Sequence, residues 1–127
     1  MLLIRPALSW GDDGSLIEMA KEMLYRYRPH QAHEIMQWGP NYLSVQQQYV
    51  MFELIRKTIE SVGAGGFTAE ALYNVAQGFS IELDGCPHSY SETKRTSNDA
   101  LAIYKVRASE KDIIWTDHRW HPIVYTP

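Results

Sequence analysis

NYLSVQQQYVMFELIRKTIESVG, Asn41 to Gly63, is the longest stretch of the chain with an unbroken helical pattern. From Tyr49 onward Phe52, Ile55, Ile59 and Val62 recur at three- and four-residue steps, while Arg56, Lys57 and Glu60 occupy the opposite arc. Val50, Met51 and Leu54 add a second apolar stripe, so the middle of this helix expects cover from more than one side. A helix of roughly 20 residues spans about 30 Å, close to the width of a small domain. Other elements must lie along most of it.

Upstream, Leu2 to Leu8 reads as a short strand that Arg5 and Pro6 lead into a loop, Trp10 to Gly14. Ser15 and Glu18 are spaced as a capping box for a helix running to about Tyr27. Its inward face is Leu16, Met19, Ala20, Met23, Leu24 and Tyr27, and Pro29 stops it. His30 to Trp38 forms a short helix that Gly39-Pro40-Asn41 breaks.

Downstream, Gly63 to Gly66 is a turn, and Thr68 caps a helix over Ala69 to Gln77 that turns Leu72, Val75, Ala76 and Phe79 inward, with Gly78 placed for a left-handed close. Ser80 to Ser97 is polar and aperiodic; it reads as an extended loop with Asp84-Gly85 as a turn and room for a strand at Ser80 to Leu83. ALAIYKVR, Ala100 to Arg107, alternates as a strand does: Leu101, Ile103 and Lys105 to one side, Ala102, Tyr104 and Val106 to the other. Ile113 to Thr116 is its return strand, and the aromatic, proline-marked tail lies against the domain.

The totals bound what such a chain does. Its 127 residues suit one domain, 45% hydrophobic and 21% charged. The net charge is −3 with cations scattered singly or in pairs, which disfavours nucleic acid as a partner. The opening MLLIRPALSWGDD fits neither a secretory signal nor a membrane span. The single cysteine, Cys86, cannot form an internal disulfide.

No constellation of reactive side chains stands out. His30, His33 and Glu34 lack the order of a zinc-binding helix, and Cys86-Pro87-His88 and His118-x-x-His121 specify no tetrahedral site by themselves. Gly63 to Gly66 follows a helix rather than a strand and is not a phosphate loop. Asp12, Asp13 and Glu92 are not spaced as an acid/base pair. No catalytic residue, metal or cofactor is therefore assigned, and the chain is expected not to be an enzyme. The aromatics Trp10, Trp38, Tyr42 and Tyr49, with Asn41, Gln46 and Gln47, suit a small-molecule site of aromatic walls and a few polar groups.

In their order these features resemble the C-terminal part of a type I substrate-binding protein of an ABC transporter, the Leu/Ile/Val-binding-protein-like family. The residues carrying the resemblance are the strand Leu2 to Ala7, Tyr27-Arg28-Pro29, Asn41-Tyr42, Val62-Gly63, Phe67-Thr68-Ala69-Glu70-Ala71-Leu72, Gly78-Phe79, Asp84-Gly85, and Lys94 to Ala100 running into Ile103-Tyr104-Lys105-Val106. They cover nearly all of the chain. The fold expected is α/β: a partial periplasmic-binding-protein-like fold over residues 1–127, with three main helices, a few short strands and a C-terminal hairpin.

The resemblance implies two α/β lobes that close on a small polar or amphipathic solute, an amino acid or aromatic acid. It implies a periplasmic location and recognition of the closed form by the transporter permease. The family's chain is much longer, and no residue here matches its main contacts to the solute's carboxylate and ammonium groups. Trp10, Tyr42 and Gln46 remain as ligand-binding candidates at a cleft edge.

The few strands available cannot cover both stripes of the long helix, so a homodimer is expected to pair the uncovered faces. Two competing readings stand beside solute binding. One is a self-associating interaction module without a ligand; the other is a small hydrolase or metal enzyme built on His118 and His121.

Overall fold

The structure, a computed structural model, describes residues 1–37 and 41–124, residue 41 by its backbone alone. Trp38, the side chain of Asn41 and the last three residues of the tail lie outside the described residues. The elements are β1 (Leu2–Arg5), α1 (Ser15–Tyr27), α2 (Ala32–Gln37), α3 (Asn41–Val62), α4 (Ala69–Ala76), β2 (Ser80–Leu83), β3 (Cys86–Ser89), β4 (Ala100–Arg107), β5 (Asp112–Trp115) and β6 (His121–Pro122). The class is mixed α/β, and the sheets are small.

In the main sheet β4 is central, with β1 along one side and β5 and β6 along the other; β2 and β3 form a separate hairpin. Every strand pairing among the described residues is antiparallel. Ala100, Ala102 and Tyr104 turn inward and are fully buried. Tyr104 stacks on Trp115 with ring centroids 6.5 Å apart, lies under the Arg5 guanidinium, and donates its hydroxyl proton to Asp12. Burial is the main cause that pushes the Tyr104 phenol far above its ordinary pKa, with the Asp12 bond second.

The opposite face carries Leu2 and Ile4 on β1, Leu101, Ile103 and Lys105 on β4, and Ile114 on β5, since paired residues share a face. Leu2 and Ile4 are 66% and 63% exposed. This sheet is therefore apolar on both sides.

The long helix buries one stripe, Tyr42, Gln46, Val50, Leu54 and Thr58, each four residues from the next. Thr58 returns its hydroxyl proton to the Leu54 carbonyl at 2.8 Å, which lets a polar side chain sit inside. The expected stripe through Phe52, Ile59 and Val62 lies open instead, with Phe52 65% exposed. On α1 the buried residues are Leu16, Ile17 and Ala20, while Met19, Met23 and Tyr27 are exposed, because α1 meets α3 along a narrower line than its apolar arc. Met19 and Met23 with Val45, Tyr49 and Phe52 line an apolar groove of about 380 Å³ between the two helices.

Three local expectations are corrected. The capping box at Ser15 does not form: Ser15 is the first helical residue, Gly14 precedes it without a capping side chain, and the free N–H of Leu16 goes to Asp84, far along the chain. Ser80 to Ser97 is a loop only from Tyr90 on: the strand at Ser80–Leu83 and the turn Asp84-Gly85 form as expected, but Cys86–Ser89 is a second strand, with Leu83 paired to Cys86. Both turn residues have positive φ, 48° and 77°, which Gly accepts freely and Asp more readily than most. Gly78 is not among the positive-φ glycines. Thr68 does cap α4, its hydroxyl accepting from the Ala71 N–H at 3.1 Å.

Candidate functional site

Trp10, Tyr42 and Gln46 are brought together, but inside the molecule: they are 6%, 1% and 2% exposed. The Trp10 and Tyr42 rings meet edge to face at 5.4 Å. One turn along α3, the Gln46 side-chain amide lies 2.9 Å from His88 Nε2. Only the amide N–H group of Gln46 faces the ring there, so His88 accepts at Nε2 and holds its own proton on Nδ1.

Asp84, in the turn of the β2–β3 hairpin, is the hub of this cluster. Its Oδ2 accepts from the Tyr42 hydroxyl at 3.2 Å, and its Oδ1 accepts from Ser15 Oγ at 3.1 Å and from the Leu16 N–H at 3.3 Å. One carboxylate thus caps α1 and ties it to α3. The fit is close, for a Cβ on Gly14 would lie 2.5 Å from that carboxylate. Burial first, and the neighbouring Asp84 charge second, hold the Tyr42 hydroxyl protonated well above the usual range.

Tyr42 and Gln46, four apart on the helix, thus hold Asp84 and His88, four apart around the hairpin. The sequence pattern gave no sign of His88 or Asp84 in this role.

Cys86 sits on the same side of β3 as His88, fully buried. Burial pushes its thiol up to about 12, followed by the charges of Asp99 and Glu82, so it is not a nucleophile at neutral pH. The other histidines are dispersed: His33 pairs with Gln37 and His121 with Asp117, each at 2.9 Å, and His118 packs against the Trp115 ring. Among the described residues no three His, Cys, Asp or Glu side chains are grouped to hold a metal ion. No helix among them is long and apolar enough to cross a membrane.

An open cleft of about 330 Å³ lies beside Trp10, with Met36, Val106 and Ile113 as apolar wall and Arg107, Lys111 and Asp112 as rim. Arg107 is already paired with Glu110 at 2.8 Å and Asp112 at 3.2 Å. The cleft combines apolar lining with fixed charge, which is the make-up of a site for an amphipathic small molecule. Comparison of the chain with family models, curated proteins and solved structures gives no match in any of the three.

Proposed function

We propose that the chain is a solute-binding component of an ABC transporter of the Leu/Ile/Val-binding-protein-like kind, one α/β portion of a two-lobed type I body. It binds a small amphipathic solute such as a branched-chain amino acid or an aromatic acid, in the periplasm and without catalysis, and presents the closed form to a permease. The observation that carries this reading is the double-sided sheet. A sheet apolar on both faces needs cover on both, and the larger body the resemblance implies would supply it, although the antiparallel pairing here differs from the parallel sheets of such lobes. The cleft beside Trp10 supplies a place of suitable size and chemistry for the solute.

In a solution of this chain alone, a second copy pairs along the open edge of β1 and lengthens the sheet. The Val106 N–H donates to the Met1 carbonyl at 2.9 Å, which fixes the ladder so that the N–H and C=O of Leu2 and Ile4 point away from β4. A two-fold axis through Leu3 sets Leu2 of one copy opposite Ile4 of the other, and the outward groups satisfy one another. Pro6 confines the pairing to this short edge.

The test has two arms. Light scattering at micromolar concentration gives a dimer for the wild type and a monomer for Ile4→Lys. A thermal-shift screen over amino acids and aromatic acids gives a ligand-dependent rise in Tm that follows RT ln(1 + [L]/Kd). A wild-type monomer with no ligand response overturns the reading. A dimer with no response selects the second reading, an interaction module of the same fold without a ligand. The burial of Trp10, Tyr42 and Gln46 favours it, because side chains packed inside the molecule do not face a solute.

A further inference from the structure

The β2–β3 hairpin contributes Leu83, with Ile81 packed beside it, to the apolar core, and is tied to the helices by polar contacts on both sides of its turn. On one side of its turn Asp84 holds Tyr42, Ser15 and the Leu16 N–H; on the other, His88 accepts from Gln46. His88 is 2% exposed, and two atoms of this pair, Gln46 Oε1 and His88 Nδ1, are buried without a hydrogen-bond partner. The contact works only while the imidazole is neutral.

We propose that this hairpin is an acid-released latch: a proton taken up at His88 Nε2 turns the acceptor of the Gln46 bond into a donor, and the hairpin, with Asp84 in its turn, leaves α3 and the start of α1. Rotating the Gln46 amide brings Oε1 to the imidazolium and restores one bond. It leaves a positive charge in the interior, beside an Nδ1–H that has no acceptor in either state, so the latch does not close again around the charged ring.

The charged and titratable groups facing His88 decide the sign. From α3 come the neutral Gln46 amide and the Tyr42 hydroxyl, the latter turned to Asp84. From β3 itself comes the Cys86 thiol, protonated at neutral pH. From the segment before β4 come Asp99, which favours the imidazolium, and Lys94, which opposes it. Lys94 and Asp99 are paired at 3.0 Å, which weakens the support that Asp99 gives a charged His88. Burial is the largest influence and lowers the His88 pKa. A base depressed in the folded state contributes stability that is complete above its ordinary pKa and is lost as pH falls below it. The proton therefore favours the released form.

The experiment is amide hydrogen exchange on the full chain between about pH 7.5 and about pH 5, read on peptides over Ser80 to Ser89 and over the first turn of α1, and corrected for intrinsic exchange. Opening of both peptides is expected to rise together, by up to about tenfold for each unit of pH below the ordinary histidine range. His88→Gln, which keeps a neutral amide at the position, is expected to abolish that rise. Should the variant fail to fold, the His88 ring is titrated by NMR in the wild type. A ring that stays neutral below the ordinary histidine pKa until the hairpin amides open supports the latch. A ring that charges at or above that pKa with those amides still closed overturns it, as does an equal acid response in His88→Gln. Solute and dimerisation do not enter this test, so its failure leaves the proposed function standing.

Discussion

Replacing Asp84 with alanine removes the acceptor of three hydrogen bonds in one step. The Leu16 N–H loses its cap, which costs about 1 kcal/mol. The Tyr42 hydroxyl, in a side chain only 1% exposed, is left without an acceptor, which costs a further ~1–3 kcal/mol. Alanine is also poorly suited to the positive φ of 48° at this position, for another ~1 kcal/mol. With partial solvation of the opened site, the expected total is about 3 kcal/mol, or a fall in Tm of about 10 °C for a domain of this size. Asp84→Asn keeps an oxygen for the helix and tolerates the backbone, so it costs only about 1 kcal/mol. Urea unfolding followed by far-UV circular dichroism measures both. A double-mutant cycle with Tyr42→Phe then isolates the tyrosine bond, with an expected coupling of about 1 kcal/mol. If Asp84→Ala lies within about 0.5 kcal/mol of wild type, or the cycle shows no coupling, the carboxylate is a surface group and the hub assigned to it does not exist.

Gly14→Ala places a methyl against the same carboxylate, with a Cβ 2.5 Å away, and should destabilise by ~1–3 kcal/mol in the same assay. The two stripes of α3 separate cleanly: Leu54→Ala should cost ~2–5 kcal/mol, whereas Phe52→Ala should change stability by under about 0.5 kcal/mol. Cys86 should resist iodoacetamide at neutral pH in the native protein and react fully in denaturant, as mass spectrometry would show.

The elements that rest on local patterns were readable in the sequence. Alternation placed β4 at Ala100–Arg107, and a single hydroxyl at Thr68 announced α4. The features that needed distant partners were not. Ser15 and Glu18 have the spacing of a capping box, but a carboxylate arriving from the hairpin takes the helix N–H first. The Asp84-Gly85 pair is a hairpin signal in its own right, yet Pro87 argues against a strand on its far side. The buried stripe of α3 mixes Tyr42, Gln46 and Thr58 with Val50 and Leu54, so apolar periodicity points to its neighbour instead. Trp10, Tyr42 and Gln46 were recognisable as one group by their chemistry. Their depth was not, because it depends on His88 and Asp84, whose positions only the folded hairpin supplies.

The cap of α1 also bears on the order in which the polypeptide matures. Asp84 lies 68 residues beyond the Leu16 amide it serves. On a translating ribosome α1 emerges early and waits, with its first turn bonded to water, until the hairpin has left the exit tunnel. A nascent chain arrested between α4 and β2 should show a frayed start to α1, and one arrested well past β3 should show it sealed.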